Sequence, residues 1–193
     1  MLKAICVFCA SSSKVDPIYL EASRELADVC VTYGIHALYG GGAVGLMGAF
    51  ANRMLECNGK ITGIIPHFMR ELEWAHTDVT EMVFVDDMRE RKKRLIENVD
   101  AVVALPGGIG TLEELLEVST LKQLGKFDKP IVIVNTNGFY NTLLSFINEL
   151  IDKQFMHSHN RSMWTLVSTP SELIHVVTDS AMWDASLINK GAS

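Results

Sequence analysis

Basic charge is in short supply. The 193 residues hold 17 Lys and Arg against 23 Asp and Glu, a formal net charge of −6. A general nucleic-acid binder usually carries a basic excess over its domain, so that class is excluded. Cysteine is scarce as well. Cys6, Cys9, Cys30 and Cys57 are too few and too irregular for a secreted disulfide scaffold or a paired C-x-x-C zinc site, and a reduced, cytoplasmic setting is expected. With only 5 Pro, no linker, no low-complexity tract and no internal repeat, long disorder is excluded. Long apolar spans are missing too. Residues 34–51 carry no Asp, Glu, Lys or Arg, but six of them are glycines and three stand in a row at Gly40, Gly41 and Gly42. A turn must interrupt that stretch, so no membrane span is expected. The start, MLKAICVFCASSS, has one Lys and a short apolar run; it reads as a buried first strand, not a signal peptide.

What remains is a chain with 48% hydrophobic residues, enough for a packed core, and a length suited to one domain spanning 1–193. Short apolar runs alternate with longer amphipathic ones. Strands are expected at Lys3 to Phe8, His36 to Tyr39, Lys60 to Ile65 (closed by Pro66), Glu81 to Val85, Ala101 to Leu105, Pro130 to Asn135 and Thr165 to Ser168. Helices are expected from Asp16-Pro17 to about Tyr33, then at Val44 to Cys57, Asp87 to Asn98, Thr111 to Leu124, Phe139 to Lys153 and Ser171 to Ser180. His67 to Val79 and residues 157–164 read as loops, and the tail from Asp184 as loose. Such alternation implies βαβ units: a single Rossmann-like α/β domain, a doubly wound parallel sheet with helices on both faces. Ligands of such sheets bind beyond the carboxyl ends of the strands.

Two strand-to-helix turns are glycine-rich. Gly40, Gly42 and Gly45 satisfy G-x-G-x-x-G after a strand and at a helix start. A backbone of this kind can approach a phosphate, with helix N–H groups and the helix dipole behind it, and Gly41 and Gly42 join the candidate binding set. A nicotinamide cofactor is disfavoured, because Lys60 to Pro66 offers no acid for a ribose hydroxyl; a purely structural tight turn is the alternative. The second turn runs Leu105-Pro106-Gly107-Gly108-Ile109-Gly110-Thr111-Leu112-Glu113-Glu114. Here Thr111 and Glu114 fit a capping box, and the residues alone leave capping and catalysis both open. On a helical wheel Glu114 falls between Val118 and Leu121, whereas Glu113 and Glu117 fall with Thr120 on a more polar side. A carboxylate on an apolar-flanked stripe is costly unless paired or used.

Five basic residues crowd into Arg89-Glu90-Arg91-Lys92-Lys93-Arg94. Helical spacing places Arg89 and Lys93 on an outer face and pairs Glu90 with Arg94 at i,i+4. Lys92 falls within the apolar stripe of Met88, Leu95 and Val99, and Arg91 at its edge, so both cations are expected to point toward the sheet, where a bound phosphate would explain them. Cys6 and Cys9 should point to opposite faces of the sheet, which removes a redox role for that C-x-x-C. His157 and His159 lack a third metal ligand, and the nine methionines read as core filler. Trp74 is open to either base contact or packing.

PGGIGTLEE at 106–114 resembles the P-G-G-x-G-T-x-x-E signature of the LONELY GUY family of cytokinin riboside 5′-monophosphate phosphoribohydrolases. CASSSKVDPIY at 9–19, GGGAVGLMG at 40–48, EWAH at 73–76 and RERKK at 89–93 are similar to further segments of that family, in its order and spacing, over roughly Met1 to Leu124. Ala10 and Lys14 stand where the family has glycines, and Arg89 where a His is common.

The resemblance implies hydrolysis of the N-glycosidic bond of a nucleoside 5′-monophosphate, with release of free base and ribose 5-phosphate. Arg91 and Glu114 would be the catalytic pair. Glu73, Lys92, Gly107, Gly108, Gly110, Thr111 and Glu113 would line the nucleotide site, with Ser12 near the phosphate. No metal and no cofactor are implied, and members are homodimers or larger, with the site close to the subunit interface. A nucleotide carrier without turnover is the competing class. A pyridoxal-dependent decarboxylase finds no Lys in a recognisable cofactor context.

Overall fold

Seven short apolar strands are brought into one sheet, and every strand pairing in it is parallel. The computed structural model describes residues 2–70, 75–179 and 183–184. The strands are β1 (Ala4–Phe8), β2 (His36–Tyr39), β3 (Ile61–Pro66), β4 (Glu81–Val85), β5 (Ala101–Ala104), β6 (Ile131–Val134) and β7 (Thr165–Val167), in the order β4-β3-β2-β1-β5-β6-β7. The helices are α1 (Pro17–Thr32), α2 (Gly45–Glu56), α3 (Met88–Ile96), α4 (Ile109–Gln123), α5 (Asn141–Asp152) and α6 (Leu173–Thr178). Each strand and helix expected from the periodicity is present, with ends displaced by a few residues. β3 runs on into Pro66, whose missing N–H is tolerated at the last position of a strand.

Two apolar layers sandwich the sheet. Ile5, Val7 and Cys9 face α1, α2 and α6 through Leu26, Phe50 and Leu173, while Cys6 and Phe8 face α3 and α4 through Leu95, Leu115 and Val118. The central strands β5 and β6 are buried at every residue, as strands covered on both faces must be. Strand order reverses beside β1, whose neighbours are β2 and β5. Loops leaving β1 and β5 therefore diverge to opposite faces and open a crevice at the carboxyl ends of the strands. Hydrogen bonds hold this crevice in shape: Ala10 N–H donates to Pro106 O (3.3 Å) and Met47 N–H to Ala10 O (3.1 Å). Below them, Tyr140 Oη donates to the carbonyl of Leu105 (2.7 Å).

One boundary changes the chemistry. α4 begins at Ile109, with Gly108 as its N-cap and no side-chain cap bond, so Thr111 is the third helical residue and Thr111/Glu114 form no capping box. That motif occurs instead at Thr169, whose N–H donates to Glu172 Oε1 (2.9 Å) ahead of α6. The loops expected after Pro66 and at 157–164 contain short 3₁₀ turns, His67–Met69 and Ser158–Ser162. Just before the expected loose tail, the indole of Trp183 stacks on His159 at 4.5 Å between ring centroids. Of the tail itself Asp184 is described and exposed, and residues 185–193 lie outside the described residues.

Candidate functional site

A cleft of about 200 Å³ opens at the strand ends, lined by Cys9, Ala10 and Ser11 after β1, Gly40 after β2, Met47 of α2, Arg91 of α3, and Gly108, Ile109, Gly110, Thr111 and Glu114 at the start of α4. Four chain segments distant in sequence thus converge where the doubly wound topology requires. Two helices, α2 and α4, begin beside the cleft, and neither has a side-chain cap. Their first N–H groups have no intrahelical acceptor, which together with the helix dipole favours an anion.

Arg91 is the buried cation of this site, 5% exposed. Its Nε donates to the carbonyl of Ile64 (3.1 Å) and its Nη2 to the carbonyl of Gly40 (2.9 Å). Nη1 lies 3.9 Å from Met69 Sδ and 3.8 Å from Met88 Sδ. Two backbone carbonyls thus aim a planar fork that a lysine could not reproduce. The glycine turn is what admits it, since a Cβ on Gly40 would collide with the guanidinium. Gly45, at φ +64, passes so close to the carbonyls of Ser11 and Ser12 that a Cβ there would strike both. At that position only glycine supplies both the left-handed backbone and the clearance.

Glu114 lies one turn into α4 and lines the same cleft as Arg91. The Cys6 thiol beneath the site registers both charges. Burial pushes it well above the ordinary thiol value, the field of Glu114 raises it further, and the field of Arg91 opposes this. Burial likewise raises Cys9, with Glu114 adding to the effect. Both thiols are free and belong to opposite layers of the core. Neither is the exposed, low-pKa thiol that redox chemistry uses.

Lys92 does not accompany Arg91. Its Nζ sits 2.6 Å from Glu113 Oε1 and 3.0 Å from Glu117 Oε2, and the bond to Glu113 holds the ammonium above its ordinary pKa. The expectation that both cations point toward the sheet is corrected here: the long Lys92 stem reaches across to the polar side of α4, and with it Glu113. Of the other expected residues, Gly108, Gly110 and Thr111 line the cleft, and Gly107 lies beneath Thr111, where a Cβ would strike that side chain. Gly41 and Gly42 are buried in the turn behind the wall. Ser12 is exposed on the rim, accepting from Lys14 N–H (3.3 Å), while its neighbour Ser11 lines the cleft. Glu73 and Trp74 lie outside the described residues. The sequence reading passed over Met47 and Ile109, although Ile109 is the variable position of the P-G-G-x-G-T segment.

A larger cavity, about 500 Å³, lies between α3 and α4 near Arg89, Lys93, Phe127 and Lys129. It contains no glycine turn and neither Arg91 nor Glu114, so the smaller strand-end cleft is the better candidate site. Among the described residues no three His, Cys, Asp or Glu side chains gather as a metal site, and no helix is long and apolar enough to cross a membrane. The two loop histidines have other partners: His157 Nδ1 accepts from His159 N–H (3.2 Å), and the His159 ring stacks on Trp183.

Comparison with known proteins follows the same outline. A family described as "Possible lysine decarboxylase" matches residues 47–177. The cytokinin riboside 5′-monophosphate phosphoribohydrolase LOG5 of Arabidopsis thaliana is 41% identical over 172 residues, 89% of this chain and 75% of that one. LOG1 of the same plant is 41% identical over 179 residues, covering 92% and 83% of the two chains. A probable enzyme of that name from Oryza sativa subsp. japonica, LOGL2, is 39% identical over 188 residues, or 97% and 77%. Among solved structures, the molybdenum cofactor carrier protein of Chlamydomonas reinhardtii superposes with a TM-score of 0.69 at 18% identity, covering 92% of this chain and 97% of that one. The molybdenum cofactor binding protein of Rippkaea orientalis gives 0.66 at 19% identity, with coverage of 92% and 96%. These last two likenesses speak to the fold alone. On the matched segment and the identities to the plant enzymes, the chain belongs to the LONELY GUY family.

Proposed function

We propose that this protein hydrolyses the N-glycosidic bond of a purine nucleoside 5′-monophosphate, of cytokinin or adenosine type, to free base and ribose 5-phosphate. The observation that carries this is the convergence of Arg91 and Glu114 on one cleft between two glycine-rich helix starts. The names of the relatives, which print a cytokinin riboside 5′-monophosphate substrate, support it. At about 200 Å³ the cleft is sized for the ribose 5-phosphate part of such a ligand, with the base over its open side. The helix starts and the Arg91 fork receive the phosphate and ribose oxygens. As the C1′–N bond breaks, positive charge gathers on the ribose ring, and a carboxylate stabilises such an oxocarbenium-like state. Glu114 supplies that charge and takes a proton from the attacking water, whose oxygen bonds to C1′; the C1′–N bond breaks, and that proton ends on the nitrogen of the departing base, leaving Glu114 ionised again. Glu73 and Thr111 complete the binding set. Lys92 and Glu113 act as a strut between α3 and α4.

The protein works as a homodimer or larger homo-oligomer. Ile109 at the cleft, Leu116 further along α4 and Leu124 at the helix's far end are 83%, 45% and 64% exposed, which is apolar area a monomer would leave wet. Its four free cysteines suit a reducing, cytoplasmic setting, and residues 1–193 act as one domain. The test is incubation with AMP and with isopentenyladenosine monophosphate, followed by chromatography for free base. Release of base is expected; binding without release from any purine monophosphate would make the protein a carrier instead.

A further inference from the structure

The glycine turn that seats Arg91 is itself held from behind. Gly40 offers its carbonyl to Arg91 Nη2, and the next carbonyl along, that of Gly41, accepts from the backbone N–H of His76 (2.9 Å). Gly42 pairs with Ala75 in an isolated antiparallel bridge. Gly41 sits at φ +84, and glycine loses more freedom on ordering than any other residue, so this turn needs outside anchors to present one carbonyl at one angle. His76 is 7% exposed, and its backbone N–H and both ring nitrogens are engaged. Besides the N–H on Gly41, ring Nε2 lies 2.8 Å from Asn52 Oδ1 on α2. Ring Nδ1 accepts from Asp78 N–H (3.3 Å). In that pattern Nε2 donates to Asn52 and Nδ1 accepts.

We propose that His76 is a positioning residue, a latch whose ring ties α2 to the segment at Ala75–His76 and whose backbone holds the turn that aims Arg91. Neither His76 nor Asn52 lines the cleft, so any effect they have on turnover passes through the Gly40–Gly41 peptide. Without the ring, Ala75–His76 loses its tie to α2, the Gly41 carbonyl swings, and the Gly40 carbonyl turns with it. A displacement of about 1 Å in a transition-state contact lowers the rate by up to ~10²-fold. Because Asn52 is exposed, water replaces its lost partner, and loss of that hydrogen bond by itself costs little stability.

This inference rests on Arg91 serving in hydrolysis, and its test separates the two ideas. Turnover and melting temperature are measured for the full-length protein, for His76→Ala, Asn52→Ala, the double variant, and His76→Gln, whose amide can still donate to Asn52. His76→Ala should lower kcat about tenfold or more with KM changed less than about threefold. The double variant should be no worse than His76→Ala alone, because both changes remove one bond, and His76→Gln should regain most of the loss. Additive losses, or a lowered melting temperature with wild-type kcat, overturn the latch. If the unaltered protein releases no base, the hydrolase assignment fails. The latch is then decided by amide exchange over residues 41–47, which His76→Ala should accelerate about tenfold and which, unchanged, refutes it.

Discussion

Lys122 supplies a prediction whose size follows from the structure. It lies on α4, far along the helix from the cleft, 4% exposed, with Nζ donating to the carbonyl of Lys129 (2.6 Å) and 5.7 Å from the ring centroid of Trp183. Burial lowers its pKa from 10.5 to about 8, with Asp128 partly opposing. The fold therefore prefers the neutral amine. Below pH 8 the folded protein must hold a charge that its surroundings disfavour, and the penalty disappears as pH rises from 8 to about 10.5, where the unfolded chain deprotonates too. At ~1.36 kcal/mol per pH unit, the shift corresponds to about 3 kcal/mol as an upper bound. Lys122→Met removes this penalty but strands the Lys129 carbonyl, at about 1–2 kcal/mol. The variant should thus be about 1–2 kcal/mol more stable at pH 7 and about 1 kcal/mol less stable at pH 10.5. Urea unfolding at both pH values reads the difference directly, since every other titrating group is common to the two proteins. Parallel stability profiles, or a variant less stable at pH 7, would refute the reasoning.

Other outcomes follow from close contacts. Gly40→Ala should lower turnover on the order of 10²-fold with a normal fold by circular dichroism, because its Cβ displaces the Arg91 guanidinium; turnover within about threefold of the parent would show that the fork is not needed where it lies. Lys92→Met should lower stability by no more than about 1 kcal/mol, since its carboxylate partners are half exposed, and should leave kcat within about threefold. A large rise in KM for this variant would instead return Lys92 to the nucleotide.

Local pattern made most of the fold legible. The buried run Ala101 to Leu105, the Asp16-Pro17 start of α1 and the glycines after β2 and β5 each state an element in a few residues, because backbone preference and burial act within that range. Contacts between elements were harder to read. A helical wheel set Lys92 on the inner stripe of α3, yet a long flexible stem goes where its partners are, and the register of α4 that presents Glu113 and Glu117 is written nowhere in residues 88–96. The wheel did separate Glu114 from those two acids, since all three share one helix. The capping box was misplaced because Gly108 can cap α4 itself, moving its start two residues upstream. His76 was visible only as part of a motif; its role depends on a carbonyl 35 residues earlier in the chain.

The central claim, that Glu114 acts on the glycosidic bond from one wall of the Arg91 cleft, is tested most directly by Glu114→Gln under single-turnover conditions with AMP or isopentenyladenosine monophosphate. The change keeps the shape of the side chain and removes its charge. Loss of base release by about 10²-fold or more, with nucleotide binding retained, is the predicted result. Release at the rate of the unaltered protein would contradict the account.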